Sequence, residues 1–345
     1  MYKAEFELEA ITPIFMRGAN QREAELRASS IKGLMRWWFR ALAGNYFGDN
    51  IKGLREAESY VFGDTERRSR VLIFVEPVSD YKEIDISKIK NNSKYLWFSI
   101  NLLYNKDEIR YYYPEKSKFI VTIQAFDRKP YMLSLLSFWY LVVLGGIGFR
   151  SRRAAGCVRF SNGDIDELHK VGFKTSFISE TDLKDSINKG IDIFGDLIGN
   201  KMLNFMCCKY PVLNKNTSYV GLWKCGTDDI FKILNKLDVS YRSFRRNQIK
   251  KRDRVVLGLP LKLRGRYTKY LPTKKLKNTR RASTLIIGLL YIGKTPYVKV
   301  CKFKTCPYHI DVEIDKIVSY NPLKLLDQNI FKGEIDIYGS LGVFE

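Results

Sequence analysis

The chain has 345 residues, 45% of them hydrophobic, and its 59 Lys and Arg against 37 Asp and Glu give a formal charge of +22 and a pI near 9.6. That length and apolar content suit a sizeable core in two or three domains and exclude a disordered chain, while the charge selects polyanionic partners, nucleic acid before an anionic membrane. The most apolar stretch, Tyr131–Leu144, is too short for the roughly 20 apolar residues of a spanning helix, and the N-terminus MYKAEFELEA lacks the apolar core of a secretory signal, so a cytoplasmic protein is expected.

Residues 3–10 alternate, with Ala4, Phe6 and Leu8 on one face and Lys3, Glu5, Glu7 and Glu9 on the other, which predicts a half-buried strand. After the loop TPIFMRGANQREAELRA, the run SSIKGLMRWWFRALAG predicts a helix capped by Ser29 or Ser30 and stopped by Gly44. Its period sets Ile31, Leu34, Met35, Trp38 and Leu42 toward the core and leaves Lys32, Arg36 and Arg40 as a basic stripe, for nucleic acid or as a solvated face. Trp37 falls off the core centre and reads as a stacking platform or a subunit contact. VLIFVE (71–76) and KFIVTIQA (118–125) predict strands, Tyr131–Leu144 a buried helix and CVRF (157–160) a last short strand. The order β-α-β-β-α-β is the ferredoxin-like arrangement shared by RNA-recognition modules, with a boundary near residue 165.

Beyond that boundary, 185–206 and 228–237 read as helices, and SYVGLW, RVVLGLPL, STLIIGLLYI and PYVKVCKF as strands. The predicted class is therefore α+β, with two ferredoxin-like domains packed together over 1–165 and 166–345, the second more diverged.

GGIGFRSRRAAG (145–156) concentrates glycine and arginine in one loop. A nucleotide cradle needs a strand before such a loop and a helix after it; here the order is reversed, so no nucleotide cofactor is expected. Gly145, Gly146, Gly148 and Gly156 permit unusual backbone and close approach, and Arg150, Arg152 and Arg153 supply planar donors for RNA phosphates. Residues 241–281 carry sixteen Lys and Arg against one acid, Asp253, so 16 − 1 = +15 of the whole charge sits in this segment. Tyr241, Phe244, Tyr267 and Tyr270 are interleaved with those cations, a mixture suited to single-stranded RNA. The candidate contacts here are Arg242, Arg245, Arg246, Lys250, Lys251, Arg264, Arg266, Arg280 and Arg281.

Chemistry has little foothold. The two histidines, His169 and His309, lie in no nucleophile or metal motif, and Asp64 in VFGDTERRSR reads as a turn residue. Cys301, Cys306 and His309 lack a second ligand pair and read as buried thiols beside a surface histidine, so no metal is expected.

TPIFMRGAN, RASSIKGLMRWWFRAL, YVFGD and GGIGFRSRRAAG together resemble the RAMP superfamily of CRISPR proteins, above all its first-subunit branch in the type III-B (Cmr) effector complex. LGLPL and RRASTLIIGLL are similar to that family's second half. The resemblance implies a non-catalytic subunit of an antiviral ribonucleoprotein. Such a subunit would sit toward the guide RNA's 3′ end, bind guide or target RNA and contact other RAMP subunits. It points to Lys32, Arg36 and Arg40, and to the glycines and arginines of the loop. One departure is Ala154, where the family favours glycine after the arginines. The alternative reading is a metal-independent endoribonuclease that processes guide RNA, with His169 or His309 as its base. A scaffold whose basic surface meets acidic partner proteins is a third reading, compatible with the first.

Overall fold

A computed structural model describes residues 1–20, 23–83, 93–98, 100, 111–161, 174–204, 208–247, 262–263, 266–267, 283–305 and 332–338. The first half builds a four-stranded antiparallel sheet from β1 (Tyr2–Ala10), β2 (Val71–Pro77), β3 (Lys118–Ala125) and β4 (Val158–Phe160), in the order β2-β3-β1-β4. Alternation places Ala4, Phe6, Leu8 and Ala10 in the core. The acidic residues of β1 face outward and are neutralised in a row: Lys3–Glu5 at 2.7 Å, Lys118–Glu7 at 2.9 Å and Arg159–Glu9 at 2.7 Å.

Among the described residues this half has three helices, α1 (Ala28–Phe47), α2 (Ile51–Phe62) and α3 (Arg128–Leu144). Both expected limits of α1 are corrected. It starts at Ala28 behind Arg27, which supplies no side-chain cap, so Ser29 and Ser30 lie inside the helix. It also runs through Gly44 to Phe47, and Gly48, at φ 51°, ends it. Gly44 serves packing instead, because a Cβ there would lie 2.5 Å from Val212 Cγ2.

The second half contains α4 (Glu180–Ile198), β5 (Ser218–Lys224), α5 (Ile230–Asn247), β6 (Leu285–Ile292), β7 (Thr295–Phe303) and β8 (Lys332–Tyr338). Its sheet is antiparallel, ordered β6-β7-β5-β8. Counted by appearance within each half, both sheets run second, third, first, fourth. The expected strand RVVLGLPL (254–261) lies outside the described residues.

Helices α1 and α3 lie between the two sheets. Phe138 of α3 meets Phe6 of the first sheet at 4.9 Å, while Trp37 of α1 meets Phe303 of the second at 5.5 Å. Lys299, fully buried on β7, donates to the Val143 carbonyl at 2.6 Å. It thereby caps the carbonyl end of α3, where the helix dipole favours a cation, even as burial pulls its pKa down. Helix α5 covers the other face of the second sheet with Ile233, Leu234, Leu237, Tyr241 and Phe244. The second sheet is thus buried on both faces, and the first on one.

Candidate nucleic-acid interface

The glycine–arginine loop is a packed knot. Its glycines answer to neighbouring backbone: a Cβ on Gly145 would sit 2.6 Å from the Leu141 oxygen, with the Trp38 side-chain Nε1 at 2.7 Å, one on Gly148 2.7 Å from the Phe15 oxygen, and one on Gly156 1.8 Å from the Ile147 oxygen. Gly146 has Gly156 O at 3.1 Å from the same virtual position. Backbone bonds close the knot, from Ile147 N to Gly156 O at 2.8 Å, Phe149 N to Phe15 O at 2.7 Å and Gly156 N to Pro13 O at 2.8 Å. Packing alone therefore demands Gly145, Gly148 and Gly156, while a side chain at Gly146 would require its neighbours to give by a few tenths of an ångström.

The loop then runs along β6, the edge strand of the second sheet. Ala154 N donates to Ile287 O at 2.8 Å, and Ile287 N to Arg152 O at 3.2 Å. Arg153 is buried, 7% exposed. Its Nη1 donates to Arg152 O at 2.7 Å and Leu285 O at 2.9 Å, its Nη2 to Ser283 Oγ at 3.0 Å, and its plane lies 4.9 Å from the Tyr241 ring centroid. Arg152 bonds to the Ser283 carbonyl and lies 4.7 Å over the Trp37 ring. Burial, then the charge of Arg153, pull the Arg152 pKa down to about 10. The sequence assigned both arginines to phosphate; the structure turns both toward protein. Trp37, expected as a stacking platform or a subunit contact, has Arg152 over its ring and makes edge-to-face contacts with Phe303 and Trp38.

Arg150 is half-buried, at φ 63°, with its pKa drawn down by burial and then by Arg153. Ala154, expected to restrict the backbone, takes φ 61° while fully buried. That left-handed conformation costs a non-glycine residue about 1 kcal/mol.

The α1 stripe is also changed by its surroundings. Glu58 of α2, 6% exposed at its side chain, receives Arg36 Nε at 2.5 Å and Arg40 Nη1 at 2.7 Å, and Arg36 reaches on to Gly63 O at 3.1 Å. Two of the three stripe cations thus join α1 to α2. Lys32 is half-buried beside Arg36, and burial lowers its pKa.

On α5, Tyr241 and Phe244 are each 2% exposed, so the expectation that they stack on bases is corrected: they are core residues of a helix longer than the sequence suggested. Arg242 and Arg246 are exposed, and Arg245 lies 5.8 Å over the Tyr95 ring. Arg266 stands in a two-residue strand paired with Lys262–Leu263. Lys250, Lys251, Arg264, Arg280 and Arg281 lie outside the described residues, as do Tyr270, His169, His309 and Cys306.

One residue the sequence could not single out is Lys302, 3% exposed on the α5 side of β7, its pKa driven down to about 7 by burial and then by Lys304. The alternation KVCKF put Lys299 and Lys302 in a strand, but not in the interior. Asp64 is the turn residue expected, accepting from Glu66 N at 2.9 Å and Arg67 N at 2.8 Å. Among the described residues no cluster of three or more metal-ligating side chains occurs, and no helix is long and apolar enough to cross a membrane.

A model of the RAMP superfamily matches residues 7–159, and one described as Cmr1-like, C-terminal, matches 218–334. The CRISPR system Cmr subunit Cmr1-1 of Pyrococcus furiosus is 39% identical over 332 residues, 95% of each chain. Cmr1-2 of the same organism is 41% identical over 179 residues, 46% of this chain and 95% of its own. The apo crystal structure of P. furiosus Cmr1 superposes with a TM-score of 0.75 at 35% identity, covering 98% of this chain and 99% of that one. A chain from a type III-B Cmr-beta complex bound to cognate target RNA shares the fold, at TM-score 0.55 and 15% identity, over 87% of this chain and 94% of its own.

Proposed function

The chain belongs to the RAMP superfamily, in its Cmr1-like branch, and from that premise we propose that it is a non-catalytic RNA-binding subunit of a type III-B CRISPR effector complex acting against foreign nucleic acid in the cytoplasm. It holds guide or target RNA toward the guide's 3′ end and contacts other RAMP subunits. It is built as two ferredoxin-like domains, 1–165 and 166–345, and the common strand order of the two sheets supports this reading.

The observation that carries RNA binding is where the cations gather. The outer face of the first sheet, which an RNA-recognition module would offer to bases, carries paired carboxylates. Both faces of the second sheet are covered. The formal charge is concentrated instead in the +15 segment 241–281, whose first residues form the last turns of α5, with Tyr241 beside Arg153 of the arginine loop. Contacts of that kind read backbone phosphate, so sequence preference is weak and salt dependence steep.

The test is binding of labelled single-stranded RNA across a salt series, with the same samples run on a denaturing gel. Intact RNA and a steep slope support the proposal. Weak binding with a flat response sinks it, and a discrete cleavage product ending in a cyclic phosphate, formed in chelator, would favour the endoribonuclease reading. Co-purification with neighbouring subunits that survives nuclease would show the protein contacts separately from the RNA.

A further inference from the structure

A cavity of about 300 Å³ opens between β4 and β6, each the strand at one edge of its sheet. It adjoins the arginine loop: Val142 and Val143 of its lining precede the loop on α3, and Val158 and Arg159 follow it on β4. Val142, Val143, Ile11 and Leu290 give it buried apolar walls. Its polar lining centres on one ion pair. Arg159 Nη2 donates to Glu9 Oε1 at 2.7 Å, and the guanidinium lies 4.7 Å over the Tyr291 ring. Arg159 keeps 40% of its side chain exposed, so Tyr291 backs it and leaves the guanidinium accessible. Among the described residues Glu9 Oε2 takes part in no hydrogen bond, and neither does the Tyr291 hydroxyl. Ser176 lines the cavity while exposed, and Lys294, next to the lining residue Gly293, is exposed and joins no ion pair among the described residues.

We infer that this cavity takes one unpaired base of the bound RNA, stacked against Arg159 with its hydrogen-bonding edge toward Glu9 and Arg159. This rests on the RNA-binding reading above, and it adds a base site to a surface that otherwise meets phosphate. The chemistry of the lining selects the occupant. The Glu9 carboxylate repels phosphate, and an aliphatic group would leave the polar atoms of Glu9 and Arg159 unmatched. A carboxylate acceptor beside guanidinium donors, set among apolar walls, complements a flat ring with apolar faces and a polar edge. Unpaired RNA bases are held in this way, stacked on aromatic rings or guanidinium planes and hydrogen-bonded along one edge. The volume stands at the lower end of the roughly 300–1,000 Å³ of ligand pockets, which suits one ring system rather than a longer segment. Lys294 supplies a cation for the phosphate flanking that base. Each of the four bases brings donors and acceptors on its edge, so the site takes any of them and sequence preference stays weak.

Base and backbone are separable by experiment. The probes are an RNA oligomer abasic throughout and the same oligomer carrying one central base, each titrated across salt against the full chain. Wild type is expected to bind the one-base oligomer at least about fivefold more tightly, the effect of one stacked base. The salt slope should be the same for both, because no phosphate is added. Ser176→Trp places bulk in the cavity from an exposed position, and Tyr291→Ala removes the ring behind Arg159. Each should abolish the gain from the base while leaving affinity for the abasic oligomer unchanged. Tyr291→Phe, which keeps the ring, should keep the gain.

A gain that persists in Ser176→Trp and Tyr291→Ala would place the base elsewhere and overturn the inference. So would abasic binding lost in both variants, which would mean that the cleft serves the backbone path or the fold. If Ser176→Trp kept the gain but weakened co-purification with other subunits, the cleft would belong to a protein side chain, and the inference would again fall. Steep, salt-dependent binding of the abasic oligomer with no gain from a base overturns this inference and leaves the RNA-binding reading standing. If wild type bound neither oligomer nor ordinary single-stranded RNA, both would fail.

Discussion

A Cβ on Gly156 would lie 1.8 Å from the Ile147 carbonyl oxygen, at a backbone φ of +61°. Neither backbone can yield without undoing the knot, so Gly156→Ala is expected to cost more than about 2 kcal/mol or to abolish folding. Gly33, on the exposed face of α1, has nothing within 4 Å of the same virtual atom. There Gly33→Ala is expected to stabilise the free protein by about 0.5–1 kcal/mol, read by urea denaturation. If Gly33→Ala weakened RNA binding while raising stability, α1 would be marked as a surface approached closely by backbone. Lys302 supports a pH-dependent test. Its folded pKa, about 7, lies below the ordinary 10.5, so the unfolded state binds the extra proton between those values. Stability from this group therefore rises with pH across that window, and the penalty is fully present below it. Lys302→Met is expected to exceed wild type in stability at pH 6, by up to a few kcal/mol, with the gap closing toward pH 10. Equal gaps at both values would show that Lys302 does not titrate in this way.

At the scale of elements, legibility followed periodicity. Strands β1, β3, β5, β6 and β7 were readable because alternation or apolar runs with β-branched residues stated them directly. Helix α2 was not, because one of its four buried positions is Glu58, a carboxylate where the pattern calls for an apolar side chain. The same residue misled the reading of α1: a stripe of cations looks solvated until the acid that crosses it is seen, and that acid is far away in sequence. Glu58→Gln is therefore expected to lower stability by about 1–3 kcal/mol, discounted from the value for a fully buried pair because both arginines are about one-third exposed. Denaturant unfolding checks this. It is also the control needed for any Arg36 or Arg40 variant, whose lost RNA affinity could otherwise reflect a loosened α1–α2 pair. Glycine-rich sequence had a comparable ambiguity. The loop composition fits phosphate and packing equally, and only the Phe15, Trp38 and Ile147 contacts show that packing claims the glycines.

Over the whole molecule, charge rather than fold is the guide to the proposed RNA path. Composition alone pointed to a polyanion; the structure removes surfaces from consideration by pairing Lys3, Arg36, Arg40, Lys118, Arg159 and Lys174 with carboxylates. An ion-paired arginine must give up its partner to meet phosphate, so it contributes less than its formal charge to counterion release. The sequence of 241–281 has one acid, Asp253, among sixteen Lys and Arg. Neutralising Lys250, Lys251, Arg264 and Arg266 together is thus expected to lower the RNA salt slope by about 2–3, near the limit of about 0.7 per phosphate. Neutralising Lys32, Arg36 and Arg40 should lower it by less than about 1, despite removing nearly as many formal charges. Parallel salt titrations on one RNA would compare them. A reversal of that order would place the main RNA path on α1, and would mean that RNA displaces Arg36 and Arg40 from Glu58 on binding.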